Sequence, residues 1–174
     1  MHRGRIILAL VAAAVGIALA ALTLRRADEF AGPSHALWRA IVAVESGGRA
    51  RAYNPCDRAT GLAQIRPVCL TDVNRIARLG GVAACFRAAD RWDPRAARRM
   101  WDLYLDFYGR QYWRQTGRTP TDEVYARIWN GGPEGWRKPS TLAYWRRVRD
   151  ALASLSPRRP EEEPGGPRSG APSS

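Results

Sequence analysis

A carboxylate on the apolar face of a short, sharply bounded helix constrains this chain more than any other feature. Ser34, just after Pro33, is placed as an N-cap, and Gly47-Gly48 is a strong stop. Between them Leu37, Trp38, Ile41, Val42 and Val44 recur at helical spacing and make one apolar face. Glu45 continues that face: it follows Val42 by three residues and Ile41 by four. Partial burial disfavours its charged form, and so does the negative end of the helix dipole in the last turn. Both push the carboxyl upward in pKa, as a general acid working near neutral pH requires. Taken alone, a glutamate at a helix end more often rims the helix and reaches water.

Four further helices are expected downstream. Thr71 to Leu79 ends at Gly80-Gly81, and Asp93-Pro94 opens a longer helix reaching about Trp113, with Gly109 as an interruption. Thr119-Pro120-Thr121 starts a third that stops at Asn130-Gly131-Gly132, and Thr141 to Leu155 forms the last. Arg49 to Thr60 reads as an irregular loop with Asn54-Pro55 as its turn signal. Gly61 to Ile65 is too short to assign. With no long strand-like alternation and no internal repeat, the expected fold class is all-α.

The organisation follows from composition. Residues 1–26 hold the uncharged run Ile6–Leu24, which at helical rise spans roughly 28 Å, close to a bilayer core. It exceeds the usual signal-peptide core, so a single-pass membrane anchor is expected, with the domain outside the cytoplasm. The alternative is a signal peptide cleaved after Ala18-Leu19-Ala20, leaving a secreted or periplasmic protein. Residues 27–33 link to a domain at 34–155, large enough for one core. Residues 156–174 are Pro, Gly, Ser, Arg and Glu without a large apolar side chain and are expected to be disordered.

The formal charge of +12 favours polyanions without choosing among nucleic acid, acidic lipid and cell wall. No recognition motif supports a specific nucleic-acid binder. The three cysteines, Cys56, Cys69 and Cys85, form no C-x-x-C pair, and the histidines are His2 and His35. A metal site and a thiol nucleophile are therefore not expected, and neither is a cofactor. Outside the cytoplasm, the natural arithmetic is one disulfide and one free thiol, with the pairing open. The oligomeric state is not legible.

Three short motifs in order narrow the function: Glu45-Ser46-Gly47-Gly48, then Gly61-Leu62-Ala63-Gln64-Ile65 with Pro67, then Trp129-Asn130-Gly131-Gly132. Together they resemble the lysozyme-like lytic transglycosylases over about Ala36 to Val148. The resemblance implies a lysozyme-like domain acting on the peptidoglycan glycan strand, at the β-1,4 bond between N-acetylmuramic acid and N-acetylglucosamine. Glu45 would be the single catalytic acid, and the products would carry 1,6-anhydro ends. Ser46, Gln64 and Asn130 map onto family positions near the glycan. Ala63 replaces the usual Met and Trp129 the usual Tyr. Of the late Glu-Thr-x-x-Tyr motif, Thr141 and Tyr144 remain, which makes Tyr144 a candidate to hydrogen-bond Glu45.

A hydrolytic lysozyme of the same superfamily is the nearest alternative, and a non-catalytic glycan-binding or assembly protein is another. The phage-lysozyme pattern of Glu, eight residues, Asp, five residues, Thr lands on Asn54 and Thr60 when started at Glu45. An amide at position 54 argues against a hydrolytic water, so anhydro ends are expected. Asp57 is the nearby carboxylate able to reverse that expectation.

Overall fold

A computed structural model of the chain describes residues 32–81 and 85–155. Among these residues five α-helices carry the fold: α1 (His35–Ser46), α2 (Pro67–Leu79), α3 (Pro94–Thr116), α4 (Asp122–Gly131) and α5 (Leu142–Leu155). The local signals act as physical chemistry requires. The Ser34 hydroxyl accepts from the Leu37 amide at 3.0 Å, Asp93 caps α3 through the Ala96 amide, and Thr121 caps α4 through that of Val124. Gly47 ends α1 at φ 60, a conformation a side chain disfavours, and its amide returns to the Ala43 and Val42 carbonyls.

The core lies among all five helices, with Val73 and Ile76 as the contribution of α2. Leu37, Ile41, Trp101, Met100, Ile128 and Val148 are fully buried there. Trp38 of α1 meets Trp101 of α3 edge to face, with ring centroids 5.3 Å apart. Gly109 is buried within α3 and does not interrupt it; the helix runs on to Thr116. Helix α2 starts at Pro67, earlier than Thr71, because Pro67 supplies a ready-made first turn.

The segment between α1 and α2 is not wholly irregular. Tyr53–Asn54 (β1) pairs antiparallel with Ala59–Thr60 (β2), with Tyr53 opposite Thr60 and Asn54 opposite Ala59. The Asn54 side chain accepts from the Cys56 amide and that of Asp57 from the Ala59 amide, so both acceptors brace the hairpin turn. Arg91 then ties this segment to the 3₁₀ turn Ala88–Trp92. Its guanidinium donates to the carbonyls of Arg58 at 3.0 Å and Ile65 at 2.8 Å. Gly61 admits that turn, since a Cβ on it would lie 2.0 Å from the Arg91 carbonyl oxygen.

Two expectations are corrected. The single-pass membrane protein expected from Ile6–Leu24 is not supported: among the described residues no helix is long and apolar enough to cross a membrane. The longest of them, α3, is amphipathic, with Arg98, Asp102, Asp106 and Arg110 along it. The Ile6–Leu24 run itself lies outside the described residues, as does the 156–174 tail expected to be disordered. The one-disulfide arithmetic also fails, because Cys56, Cys69 and Cys85 are all free.

Candidate active site

Glu45 stands where α1 ends, and Gly47 ends it there. The carboxyl enters a cavity of about 750 Å³ whose walls include Asp57, Gln64, Arg66, Trp129, Asn130 and Arg147. The hairpin turn, the Gly61–Ile65 loop, the end of α4 and α5 therefore converge on one glutamate. The Tyr144 hydroxyl of α5 donates to Glu45 Oε1 at 2.7 Å. Tyr144 is buried, and burial together with the neighbouring Glu45 charge holds its phenol well above the usual pKa. It is thus a fixed donor.

Burial raises the pKa of Glu45 above the ordinary 4.5. The Tyr144 hydrogen bond and the charges of Arg147 and Arg66 oppose that rise, while the Asp57 charge adds to it. The net direction is upward. A carboxyl held between an apolar helix face and one phenolic donor keeps its proton to higher pH than a solvated one, which suits a general acid.

The sequence-nominated residues are placed differently from one another. Gln64 and Asn130 line the cavity. Gln64 is held at φ 50, and its Nε2 donates to the carbonyls of Ala52 and Gly61, so the amide nitrogen braces the loop. Ser46 does not line the cavity: it is buried, and its hydroxyl donates to the Val42 carbonyl at 3.1 Å. One helix position beyond Glu45 turns the side chain by about 100° and points it away from the cavity. Thr141 is also buried. Its hydroxyl accepts from Arg127 Nε and lies 2.8 Å from the carbonyls of Gly135 and Lys138, locking the entry to α5.

Sequence reasoning missed Arg66 and Arg147, whose charges reach Glu45, and the cluster built on Asp72 and Arg75 of the cavity wall. There Arg75 pairs with Asp72 at 2.7 Å, and the Tyr108 hydroxyl donates to Asp72. The three-residue spacing of Asp72 and Arg75 was a legible signal for the pair. Tyr108, on another helix, carried none. Among the described residues no group of three His, Cys, Asp or Glu side chains is placed to hold a metal ion.

Solved structures place this architecture. A chain of the crystal structure of Aeromonas hydrophila PliI in complex with Meretrix lusoria lysozyme superposes with a TM-score of 0.54 at 26% identity, covering 70% of this chain and 93% of that one. The fold is lysozyme-like. The Tapes japonica lysozyme matches equally, with a TM-score of 0.54 at 22% identity, over 67% of this chain and 88% of its own. In sequence, the chain is 43% identical over 49 residues to an Ostrea edulis lysozyme and 51% identical over 41 residues to one from Magallana gigas. Those matches span 36% and 30% of the relatives, and 28% and 24% of this chain. No family model matches the chain. These likenesses correct the transglycosylase subtype expected above: the similarity is to lysozymes. Asn54, where the spacing counted from Glu45 falls, and Asp57, in the turn of the same hairpin, both line the cavity.

Proposed function

We propose that the chain is a hydrolytic lysozyme, cleaving the β-1,4 bond between N-acetylmuramic acid and N-acetylglucosamine in peptidoglycan. The observation that carries this reading is that Asp57 lines the same cavity as Glu45 and its charge is felt there, whereas the third carboxylate of the wall, Asp72, is tied to Arg75 and Tyr108. Similarity to lysozymes in fold and in short stretches of sequence supports it.

In this reading protonated Glu45 donates to the leaving glycosidic oxygen. Asp57 faces the positive charge that develops at the sugar carbon. Once the first product leaves, ionised Glu45 takes a proton from water, which supplies the new hydroxyl. Asn130 and the free Oε1 of Gln64 are offered to polar sugar groups, and Trp129 adds an aromatic ring to the cavity wall.

Digestion of purified peptidoglycan tests the reaction class. Reducing-end sugars are expected, each one water heavier than a 1,6-anhydro product, and anhydro ends would return the assignment to the transglycosylases. A second test reads the Tyr144 bond. Because that bond lowers the pKa of Glu45, Tyr144→Phe should raise it and move the alkaline limb of the kcat/KM profile to higher pH. A limb that stays in place would remove Tyr144 from the titration of the acid.

A further inference from the structure

Beside the cleft lies a second hollow of about 480 Å³, lined by Arg75, Phe107, Tyr108, Arg110, Gln111 and Arg114. Arg75 and Pro133 line both spaces, so the two share a wall. No acidic side chain lines this second hollow. Two of its arginines are already partnered, Arg75 by Asp72 at 2.7 Å and Arg110 by Asp106 at 3.1 Å. Arg75 is further fixed by stacking over the Phe107 ring at 5.4 Å and by donating to the Tyr108 hydroxyl. Arg114 differs. It is exposed and has no carboxylate partner among the described residues. Phe107, Gln111 and Arg114 are spaced four and three residues apart on α3, which puts aromatic face, amide and guanidinium on one stripe.

The sugar backbone of a strand whose lactyl carboxyls are tied up in amide bonds carries no charge, so aromatic and amide groups suffice to hold it. A cationic hollow that shares a wall with the cleft instead suits an anionic group that hangs from the strand. We propose that this hollow is a subsite for an anionic substituent of the bound glycan, its carboxylate or phosphate oxygens held by Arg114 and Gln111. The muramyl peptide, whose end and side chains bear carboxylates, is one source, and a phosphodiester polymer grafted on the strand is the other. The proposal rests on the glycan reading above and adds to it a preference for decorated over bare strands.

Binding to the Glu45→Gln chain tests this without turnover. The probes are soluble muramyl strands bearing their peptides, the same strands stripped of peptide by an amidase with the freed lactyl carboxyls then converted to neutral amides, and such neutral stripped strands carrying a phosphodiester polymer. At low salt a decorated strand should bind about fivefold more tightly than the bare one, the scale of one partly screened ion pair. The advantage should vanish when Arg114→Gln is added and shrink as salt is raised. Whichever decorated strand shows the Arg114-dependent gain identifies the anion. Equal binding of bare and decorated strands, or a gain that survives Arg114→Gln, would overturn the subsite and leave the lysozyme reading intact. If no strand binds while duplex DNA of similar charge does, the glycan reading falls and the subsite with it. Arg114 is exposed, and an unchanged thermal midpoint for the variant separates lost binding from lost folding.

Discussion

Glu45→Gln should lower the rate of glycan cleavage by about 10²–10⁴-fold, the usual range for loss of a general acid. The amide keeps the shape of the side chain and still accepts from the Tyr144 hydroxyl, so substrate binding should persist. The same substitution has a stability signature whose sign follows from linkage. In the folded chain Glu45 binds its proton more tightly than in the unfolded chain, because burial raises its pKa above 4.5. The folded state therefore holds more protons in the window above 4.5, and stability falls as pH rises through it. A neutral Gln escapes that loss. Its thermal midpoint should exceed that of the wild type at neutral pH, and the difference should close as pH drops below about 4.5. Retained cleavage would end the assignment of Glu45. A midpoint lower than wild type at neutral pH would mean that the ionised carboxylate is net stabilising where it stands.

Asp57→Asn should cost about 10²–10³-fold in kcat, the scale seen when one preorganised group facing a developing charge is removed. The Asn side chain can still accept from the Ala59 amide as Asp57 does, so the hairpin turn should survive and the thermal midpoint should hardly move. Loss of rate with the fold intact assigns Asp57 to the chemistry. A variant that keeps most of its rate and releases anhydro ends would show that Glu45 acts without a second carboxylate.

What was legible in the sequence was local. Ser34 and Gly47 bound α1 through hydrogen bonds within a few residues, so the last-turn position of Glu45 was readable from its near neighbours alone. The helix starts at Asp93-Pro94 and Thr121 were readable for the same reason. The site beyond Glu45 depends on contacts between distant segments. Arg91 reaches the carbonyls of Arg58 and Ile65 across the fold, and no local pattern marks an arginine for that task. Ser46 shows the opposite failure. A motif placed it beside Glu45, but adjacency along a helix puts neighbours on different faces, and its hydroxyl turns back to Val42. Asp57 fell between the two. Its carboxylate was visible, but only the β1–β2 hairpin decides that it shares a cavity with Glu45.

The hydrogen bond between Tyr144 and Glu45 joins the first described helix to the last, across 99 residues of chain. During synthesis Glu45 leaves the ribosome long before its phenolic partner does. Helix α5 also brings the Arg147 wall of the cavity, so a growing chain lacks a completed site until its final helix has emerged and docked against α1. The cavity around Glu45 is therefore completed late in synthesis, and a chain stalled before Leu142 lacks both the phenolic donor and the Arg147 wall.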